Sequence, residues 1–246
     1  MRGKETVFQI AEKLVDLFWQ IICPPHCVIC EKVLKLNKFI CVECRTKLPF
    51  VEDMYCLKCG KPVGDDREYC TDCKKREHYF TRGVSVWSYS PMLKKSLYRF
   101  KYNNKRYYAK YYTDEIVKRY SRLITQWGVD IIIPVPLYKK KKRRRGYNQA
   151  EILANELSSR ISIPLDCRIV TRIRDTLPQK MLNDMERQKN LKGAFKINKS
   201  VIELKKILLI DDIFTTGSTV DEIARVLLEA GANSVYVVTL CIGRGY

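Results

Sequence analysis

Residues 206–220 read KILLIDDIFTTGSTV, and this stretch determines the fold that we predict for the chain. Its apolar run from Ile207 to Ile210 is unbroken, which is typical of a parallel strand buried on both faces. Two adjacent carboxylates follow, where that strand is expected to end. Thr219 and Glu222 have the spacing of a capping box, and Gly231 is placed to end the helix that would begin there. The stretch therefore predicts a strand, a short polar loop and a helix.

The polar loop has the composition of a binding site for a phosphorylated sugar. Backbone N–H groups and hydroxyls can surround a phosphate at a helix N-terminus, and a glycine permits the tight turn. The predicted phosphate ligands are Thr215, Thr216, Gly217, Ser218 and Thr219. Asp211 and Asp212 could accept hydrogen bonds from two ribose hydroxyls and help to hold hydrated Mg²⁺. Ribose, phosphate and Mg²⁺ together indicate 5-phosphoribosyl 1-pyrophosphate (PRPP).

The order of apolar strand, Asp-Asp, three residues and Thr-Gly-Ser-Thr resembles the PRPP-binding motif of type I phosphoribosyltransferases. The resemblance implies an α/β fold, with a mostly parallel sheet flanked by helices. It also implies that Val135, Pro136 and Leu137, at the exit of an apolar strand that starts near Asp130, form the pyrophosphate-binding loop. An ordinary strand–turn–helix unit with a polar loop is the alternative interpretation.

Length and charge limit the possible functions. A chain of 246 residues can hold one α/β domain and a small module. The net charge of +19 indicates a polyanionic partner such as nucleic acid, although a highly charged surface is an alternative. Residues 1–22 predict an amphipathic packing helix, because Glu12, Lys13 and Asp16 argue against a signal peptide or a membrane span. We expect a cytoplasmic protein, and peripheral contact with the inner membrane stays open.

Eight of the eleven cysteines form four Cys-x-x-Cys pairs, and they predict two structural zinc sites. The predicted ligands are Cys27, Cys30, Cys41, Cys44, Cys56, Cys59, Cys70 and Cys73. Neighbouring pairs would close each site, and cross-brace pairing is an alternative. Redox chemistry would need a thioredoxin-like context that is not evident. We therefore predict a double zinc ribbon at residues 23–80, followed by a phosphoribosyltransferase-like domain at 81–246. Cys167 and Cys241 lie in predicted strands and are expected in the core.

Residues 92–122 have a helical pattern in which ten basic residues alternate with seven tyrosines. Cations for a backbone and aromatic faces for bases are what single-stranded nucleic acid binding needs, but tyrosines facing the core are an equal alternative. Seven basic residues follow at 139–145 and predict a solvated, mobile face that meets phosphates. The nucleic-acid candidates are Tyr107, Tyr108, Tyr111, Lys139, Lys140, Lys141, Lys142, Arg143, Arg144 and Arg145.

A Cys-x-x-Cys module, Pro-Val-Pro at 134–136, Arg-Arg-Gly-Tyr-Asn-Gln at 144–149 and the Asp-Asp motif together resemble the ComF family. These are competence-associated proteins implicated in DNA uptake during natural transformation. The resemblance spans about residues 27–244 and raises a DNA-uptake helicase or channel as a candidate partner.

Within residues 167–205, which begin with a predicted strand at 167–172, the resemblance implies a flexible loop that closes over PRPP. The candidate residues of this loop are Thr176, Gln179, Lys180, Arg187 and Asn190. Closure would bring Arg187 or Lys180 to the developing charge of pyrophosphate, so Arg187 joins Asp211 and Asp212 as a catalytic candidate. A polar helical hairpin on the surface is the alternative.

Three functions remain open at this point. The first is a DNA-uptake protein that binds single-stranded DNA and PRPP or a related phosphate. The second is an active Mg²⁺-dependent phosphoribosyltransferase with an unidentified acceptor. Thr215 stands where purine-base phosphoribosyltransferases commonly carry an Asp, which argues against a purine salvage enzyme. The third is an interaction scaffold that keeps a zinc module and a degenerate PRPP site.

Overall fold

A computed structural model describes most of the chain, in several stretches. The described residues are 24–35, 37–64, 66–176, 186, 190–198 and 205–243. The predicted helix at 1–22 and the loop candidates Gln179, Lys180 and Arg187 lie outside them. No helix in the described stretches is both long and apolar enough to cross a bilayer.

The chain forms two compact units, Met1–Leu48 and Pro49–Tyr246. The first holds helix α1 (Val42–Lys47) and the cysteines at its start. In the second, the helices are α2 (Thr71–Lys75), α3 (Pro91–Tyr102), α4 (Tyr108–Trp127), α5 (Lys139–Arg145), α6 (Gln149–Ile161) and α7 (Ser218–Glu229). The strands are β1 (Arg82–Ser88), β2 (Ile131–Pro134), β3 (Val170–Arg172), β4 (Phe195–Ile197), β5 (Lys206–Phe214) and β6 (Ser234–Ile242). The predicted domain limits at 23–80 and 81–246 stay a prediction.

Four parallel strands form the main sheet in the order β1-β6-β5-β2, which confirms the predicted α/β fold with a parallel sheet. Ile207 to Ile210 are fully buried at its centre, as their apolar run predicts. The predicted end of β5 was wrong, because its two neighbours differ in length. β2 stops pairing with β5 at Ile210, whereas β6 continues to pair with it as far as Phe214. Asp211 and Asp212 therefore lie inside a strand that is paired on one side only.

Helix α7 begins at Ser218 with Gly217 as its N-cap, so the predicted capping box at Thr219 was wrong. The carboxylate of Glu222 has other partners: it accepts a hydrogen bond from the Gly193 N–H at 2.8 Å and pairs with Arg225. The helix ends at Glu229 with Ala230 as its C-cap, and the following Gly231 has a positive φ of 96°, in agreement with the predicted stop.

The helical pattern at 92–122 corresponds to α3 and α4, but many of its tyrosines face the core. Tyr108 and Tyr111 are 0% and 3% exposed, so the prediction that they stack on bases was wrong. The Tyr111 ring packs on Trp87 with 6.1 Å between centroids. Tyr107 keeps 45% of its surface exposed.

The basic run at 139–145 forms helix α5, and no residue within it is buried, as expected for a solvated face. Its mobility stays a prediction. The helix ends at Gly146, which has a φ of 83°. Cys241 is buried in β6 as predicted, whereas Cys167 is exposed ahead of β3, which is shorter than the predicted strand.

Candidate PRPP site, zinc centres and basic helix

Asp211 and Asp212 are adjacent, partly buried residues in the carboxyl-terminal half of β5. The Asp212 backbone N–H donates to Asp211 Oδ1 at 2.8 Å, which fixes the Asp211 carboxyl group against the backbone of β5. Lys101, from the last turn of α3, forms an ion pair with Asp212, and its side chain is only 20% exposed. Carboxylate oxygens are the ligands that Mg²⁺ prefers, so Asp211 and Asp212 fit the predicted cation.

Sequence reasoning missed Lys101, although a signal for it exists. Leu93, Leu97 and Phe100 form the buried stripe of α3, and Lys101 follows at the helical spacing of that stripe. A cation on an apolar helix face needs a charged partner, because an unpaired buried charge is costly. The pattern therefore predicts a carboxylate nearby, without saying which one.

Burial and neighbouring charges shift the pKa values of Asp211 and Lys101. Burial and the neighbouring Asp212 charge raise the pKa of Asp211 to about 8. Burial alone would lower the pKa of Lys101, but attraction to Asp212 outweighs it and the pKa of Lys101 is raised. At neutral pH Asp211 therefore holds a proton, and Lys101 keeps its positive charge beside Asp212. A divalent cation at this point would favour the ionised form of Asp211.

The predicted phosphate loop lies beside Asp211. Gly217 has a φ of 78°, and a Cβ at this position would lie 2.6 Å from the Phe214 ring, so only glycine fits. The hydroxyls of Thr216 and Ser218 are 2.8 Å apart. A shallow pocket opens here, lined by Asp211, Ile213, Phe214, Thr215, Gly217, Ser218, Thr219 and Val220. The first-turn N–H groups of α7 and these hydroxyls can receive a phosphate.

The predicted pyrophosphate loop leaves β2 at the same edge of the sheet. The Val135 N–H donates to the Ile210 carbonyl at 2.9 Å, which holds this loop against β5 just ahead of the carboxylates. The Val135 carbonyl accepts from Asn148 Nδ2 at 2.9 Å, and Asn148 also caps α6. Pro136 is buried and Leu137 is half-buried. Val135 therefore ties the loop both to strand β5 and to the N-cap residue of helix α6.

The Arg-Arg-Gly-Tyr-Asn-Gln segment connects this loop to α3. The Tyr147 hydroxyl donates to the Phe100 carbonyl, and Gln149 Nε2 donates to the Lys101 carbonyl at 3.5 Å. Arg145 donates to the Gln149 side-chain oxygen. These contacts hold the helix end that presents Lys101 to Asp212. The segment thus has a structural explanation beyond its value as a family signature.

The described part of the predicted flexible loop contacts the basic helix. Thr176 is buried, its hydroxyl is bonded to Arg172, and its carbonyl accepts from Lys141 Nζ at 3.3 Å. Asn190 lies in a helical turn ahead of β4. The closure of this segment over PRPP stays a prediction.

Helix α5 presents its cations beside two exposed aromatic rings. Tyr98 and Tyr102 are 59% and 53% exposed, and their ring centroids are 4.8 Å apart. Arg145 lies over the Tyr102 ring at 4.9 Å and donates to its hydroxyl at 3.1 Å. Cations and accessible rings therefore occur together here, although at tyrosines other than the buried Tyr108 and Tyr111.

The eight Cys-x-x-Cys sulfurs gather into two separate tetrads. Neighbouring pairs combine, Cys27/Cys30 with Cys41/Cys44 and Cys56/Cys59 with Cys70/Cys73, and the four sulfurs of each tetrad lie within 4.8 Å of one another. Cross-brace pairing was therefore the wrong alternative. Four thiolates complete the coordination of Zn²⁺ and leave no position for substrate, so both tetrads fit structural zinc sites.

Comparisons with known proteins identify both the cysteine-rich module and the α/β domain. The family model of the double zinc ribbon domain matches residues 18–74, and that of the phosphoribosyl transferase domain matches residues 143–245. Among solved structures, a hypoxanthine phosphoribosyltransferase from Staphylococcus aureus is 20% identical, with a TM-score of 0.36 over 56% of this chain and 64% of that one.

Three curated relatives cover most of the chain. Competence protein F of Haemophilus influenzae is 32% identical over 86% of this chain and 94% of its own length. The DNA utilization protein YhgH of Escherichia coli is 32% identical over 89% of this chain and 97% of its own length. Competence protein ComFC of Bacillus subtilis is 30% identical over 85% of this chain and 86% of its own length. With its double zinc ribbon and phosphoribosyltransferase domain, the chain belongs to the ComF family.

Proposed function

We propose that this protein binds Mg²⁺–PRPP and handles single-stranded DNA in the cytoplasm during DNA uptake. Relatives named as competence and DNA utilization proteins support a competence-related role. The observation that carries PRPP binding is the pocket that Asp211 lines together with the Gly217 loop at the start of α7, with Asp212 next to Asp211 in β5. Ribose hydroxyls and phosphate would then be bound at neighbouring points.

Each part of the site has a separate task in this proposal. The α7 amides and the hydroxyls of Thr215, Thr216, Ser218 and Thr219 bind the 5-phosphate. Asp211 and Asp212 accept from the ribose hydroxyls, and Mg²⁺ with the loop at Val135 to Leu137 receives the pyrophosphate. Lys101 must release or share Asp212 when the ligand arrives, since the ion pair involves a carboxylate that the ribose needs.

DNA binding is supported by the basic helix α5 and by Tyr98 and Tyr102 beside it. Lysines and arginines attract the phosphates of the strand, and exposed aromatic rings can stack on unpaired bases. The net charge of +19 favours the same partner. A helicase or channel of the uptake machinery would be a reasonable source of the single strand.

Calorimetric titration of Mg²⁺–PRPP tests the ligand assignment. Wild type should bind, and Asp211→Asn/Asp212→Asn should lose binding. Glu52→Gln/Asp53→Asn is the matched control, because it alters two adjacent carboxylates that are exposed and outside the site. Equal binding by all three proteins, or none by wild type, would refute the PRPP site.

Fluorescence anisotropy with a labelled oligonucleotide tests the DNA assignment. Arg143→Ala/Arg144→Ala removes two exposed cations of α5 and should flatten the salt dependence by about 1.4 in log K against log[salt], at about 0.7 for each phosphate contact. Lys74→Ala/Lys75→Ala removes two exposed cations from α2 as the control. The same slope in both variants would exclude α5 as the binding surface.

Catalysis is the second candidate function, and it is favoured by the joint presence of carboxylates, phosphate loop and pyrophosphate loop at one sheet edge. The reaction would displace pyrophosphate from the ribose anomeric carbon by an acceptor nucleophile. Release of pyrophosphate from PRPP by wild type, but not by Asp211→Asn/Asp212→Asn, would support it.

A further inference from the structure

A buried carboxylate in the first turns of α7 connects the second zinc ribbon to the phosphate loop. Asp221 is 4% exposed and has three partners that follow the last zinc ligand of that ribbon. Arg76 Nη2 lies 2.9 Å from Asp221 Oδ2, and His78 Nδ1 lies 3.1 Å from the same oxygen. The Tyr79 N–H donates to Oδ1 at 2.7 Å. We call these four residues the ribbon brace.

The brace acts on the helix turn that carries the phosphate-binding amides. The Asp221 N–H donates to the Gly217 carbonyl at 2.8 Å, so the residue belongs to the turn that starts at the loop. A buried carboxylate that lost its donors would be an unpaired charge, which a protein avoids by moving the group or admitting water. Either response would shift the start of α7.

Aromatic packing provides a second connection between the same two parts. The His78 ring stacks on Phe80 with 4.8 Å between centroids, and Phe80 meets Phe214 edge-on at 5.9 Å. Phe214 in turn lies against Gly217, where no side chain would fit. A displacement of His78 would therefore reach the loop through the Phe214 ring, because close-packed side chains transmit strain.

The second ribbon is also built into the core of its unit. Cys56, Cys59 and Cys70 belong to the same buried cluster as Phe80 and Phe214. The ribbon turn comes so close to β1 that a Cβ on Gly60 would lie 2.8 Å from Val84 Cα. Zinc binding to a thiolate tetrad supplies folding energy to such a turn-rich segment, which contributes few apolar residues of its own.

We propose that the ribbon brace positions the phosphate loop, so that an intact second tetrad is required for a preformed PRPP site. Arg76, His78 and Asp221 are positioning residues, since they act through the first turns of α7. Arg76 also balances the Asp221 charge, which would otherwise repel a phosphate bound at the same helix end. The affinity part of this proposal rests on the proposed PRPP binding, whereas the loop-ordering part does not.

Hydrogen exchange followed by mass spectrometry tests the loop-ordering part on the full chain without ligand. Cys70→Ser/Cys73→Ser should speed exchange of the amides at 215–221 by about tenfold or more, as expected when local opening becomes easier. Cys41→Ser/Cys44→Ser disrupts the first tetrad, which contributes no residue to the brace. This variant should leave the exchange rate of the amides at 215–221 unchanged. Unchanged loop exchange after loss of the second tetrad, or equal acceleration in both variants, would overturn the proposal.

Arg76→Met and Arg76→Lys separate the brace from the folding of the ribbon. Both should retain two zinc ions, and Arg76→Met should weaken Mg²⁺–PRPP binding about tenfold, an amount comparable to one charge-assisted hydrogen bond. Arg76→Lys should restore most of the affinity by keeping the charge. Wild-type affinity in Arg76→Met, with normal loop exchange, would refute the brace. If wild type binds no PRPP, the proposed function fails, and the exchange experiment alone decides whether the brace orders the loop.

Discussion

Replacement of Asp211 by Asn should stabilise the protein at high pH while abolishing PRPP binding. The pKa of Asp211 is raised from 3.8 to about 8 by burial and by Asp212. In the unfolded chain this carboxyl ionises near pH 4, but in the folded chain only near pH 8. The folded state therefore binds the extra proton between these values, and stability is lost as the pH rises through that window. Asn cannot ionise, so the variant does not lose this stability at high pH, and it keeps the side-chain oxygen that accepts from the Asp212 N–H.

The pKa change corresponds to a loss of about 4 kcal/mol between pH 5 and pH 9 for a single group. Asp211 keeps some contact with solvent, which reduces the effect, so we expect about 2 kcal/mol or more. Urea unfolding of wild type and Asp211→Asn at both pH values measures it, and Asp53→Asn, at an exposed carboxylate, is the control. A stability difference that is the same at pH 5 and pH 9 would show that Asp211 is not held protonated by the fold.

Three further outcomes test other parts of the site. Lys101→Met should destabilise the ligand-free fold by about 2 kcal/mol, since one partner of a partly buried ion pair is lost. Added Mg²⁺ should recover more stability in this variant than in wild type. Thermal unfolding with and without Mg²⁺ measures both effects, and an unchanged stability of the variant would refute the ion pair. Gly217→Ala should cost about 1–3 kcal/mol through overpacking on Phe214 and weaken PRPP binding, whereas Gly64→Ala, which has open space around it, should do neither. Metal analysis should find two Zn²⁺ per chain, and Cys70→Ser/Cys73→Ser should reduce this to one.

Local patterns predicted the features whose causes are local. Each Cys-x-x-Cys turn points two thiolates at one ion, and ten residues between pairs suffice to close a tetrad. The apolar run at Ile207 to Ile210 predicted a central parallel strand because helices usually cover both faces of a parallel sheet. Gly231 indicated the end of α7 because a positive φ after a helix favours glycine.

Features that depend on distant partners could not be predicted from the sequence. Glu222 has the spacing of a capping residue, yet its carboxylate accepts from the N–H of the distant Gly193, as well as pairing with the nearby Arg225. Whether a tyrosine of α4 faces a base or the core depends on Trp87, which lies on β1. Asp221 was not selected as a functional residue because its partners precede it by most of the chain length.

The contacts around Lys101 also determine how the two proposed ligands would influence each other. Arg145 contacts both the exposed Tyr102 ring and Gln149, while Gln149 donates to the Lys101 carbonyl. Lys101 in turn pairs with Asp212. A DNA strand that draws Arg145 toward its phosphates would loosen the end of α3 and with it the ion pair that PRPP must displace. Because coupling between two binding sites is reciprocal, a strand that strengthens PRPP binding must itself bind more tightly when PRPP is present, by the same factor. Titration of each ligand in the presence of the other measures that factor, and a factor of one would show that the two sites are independent.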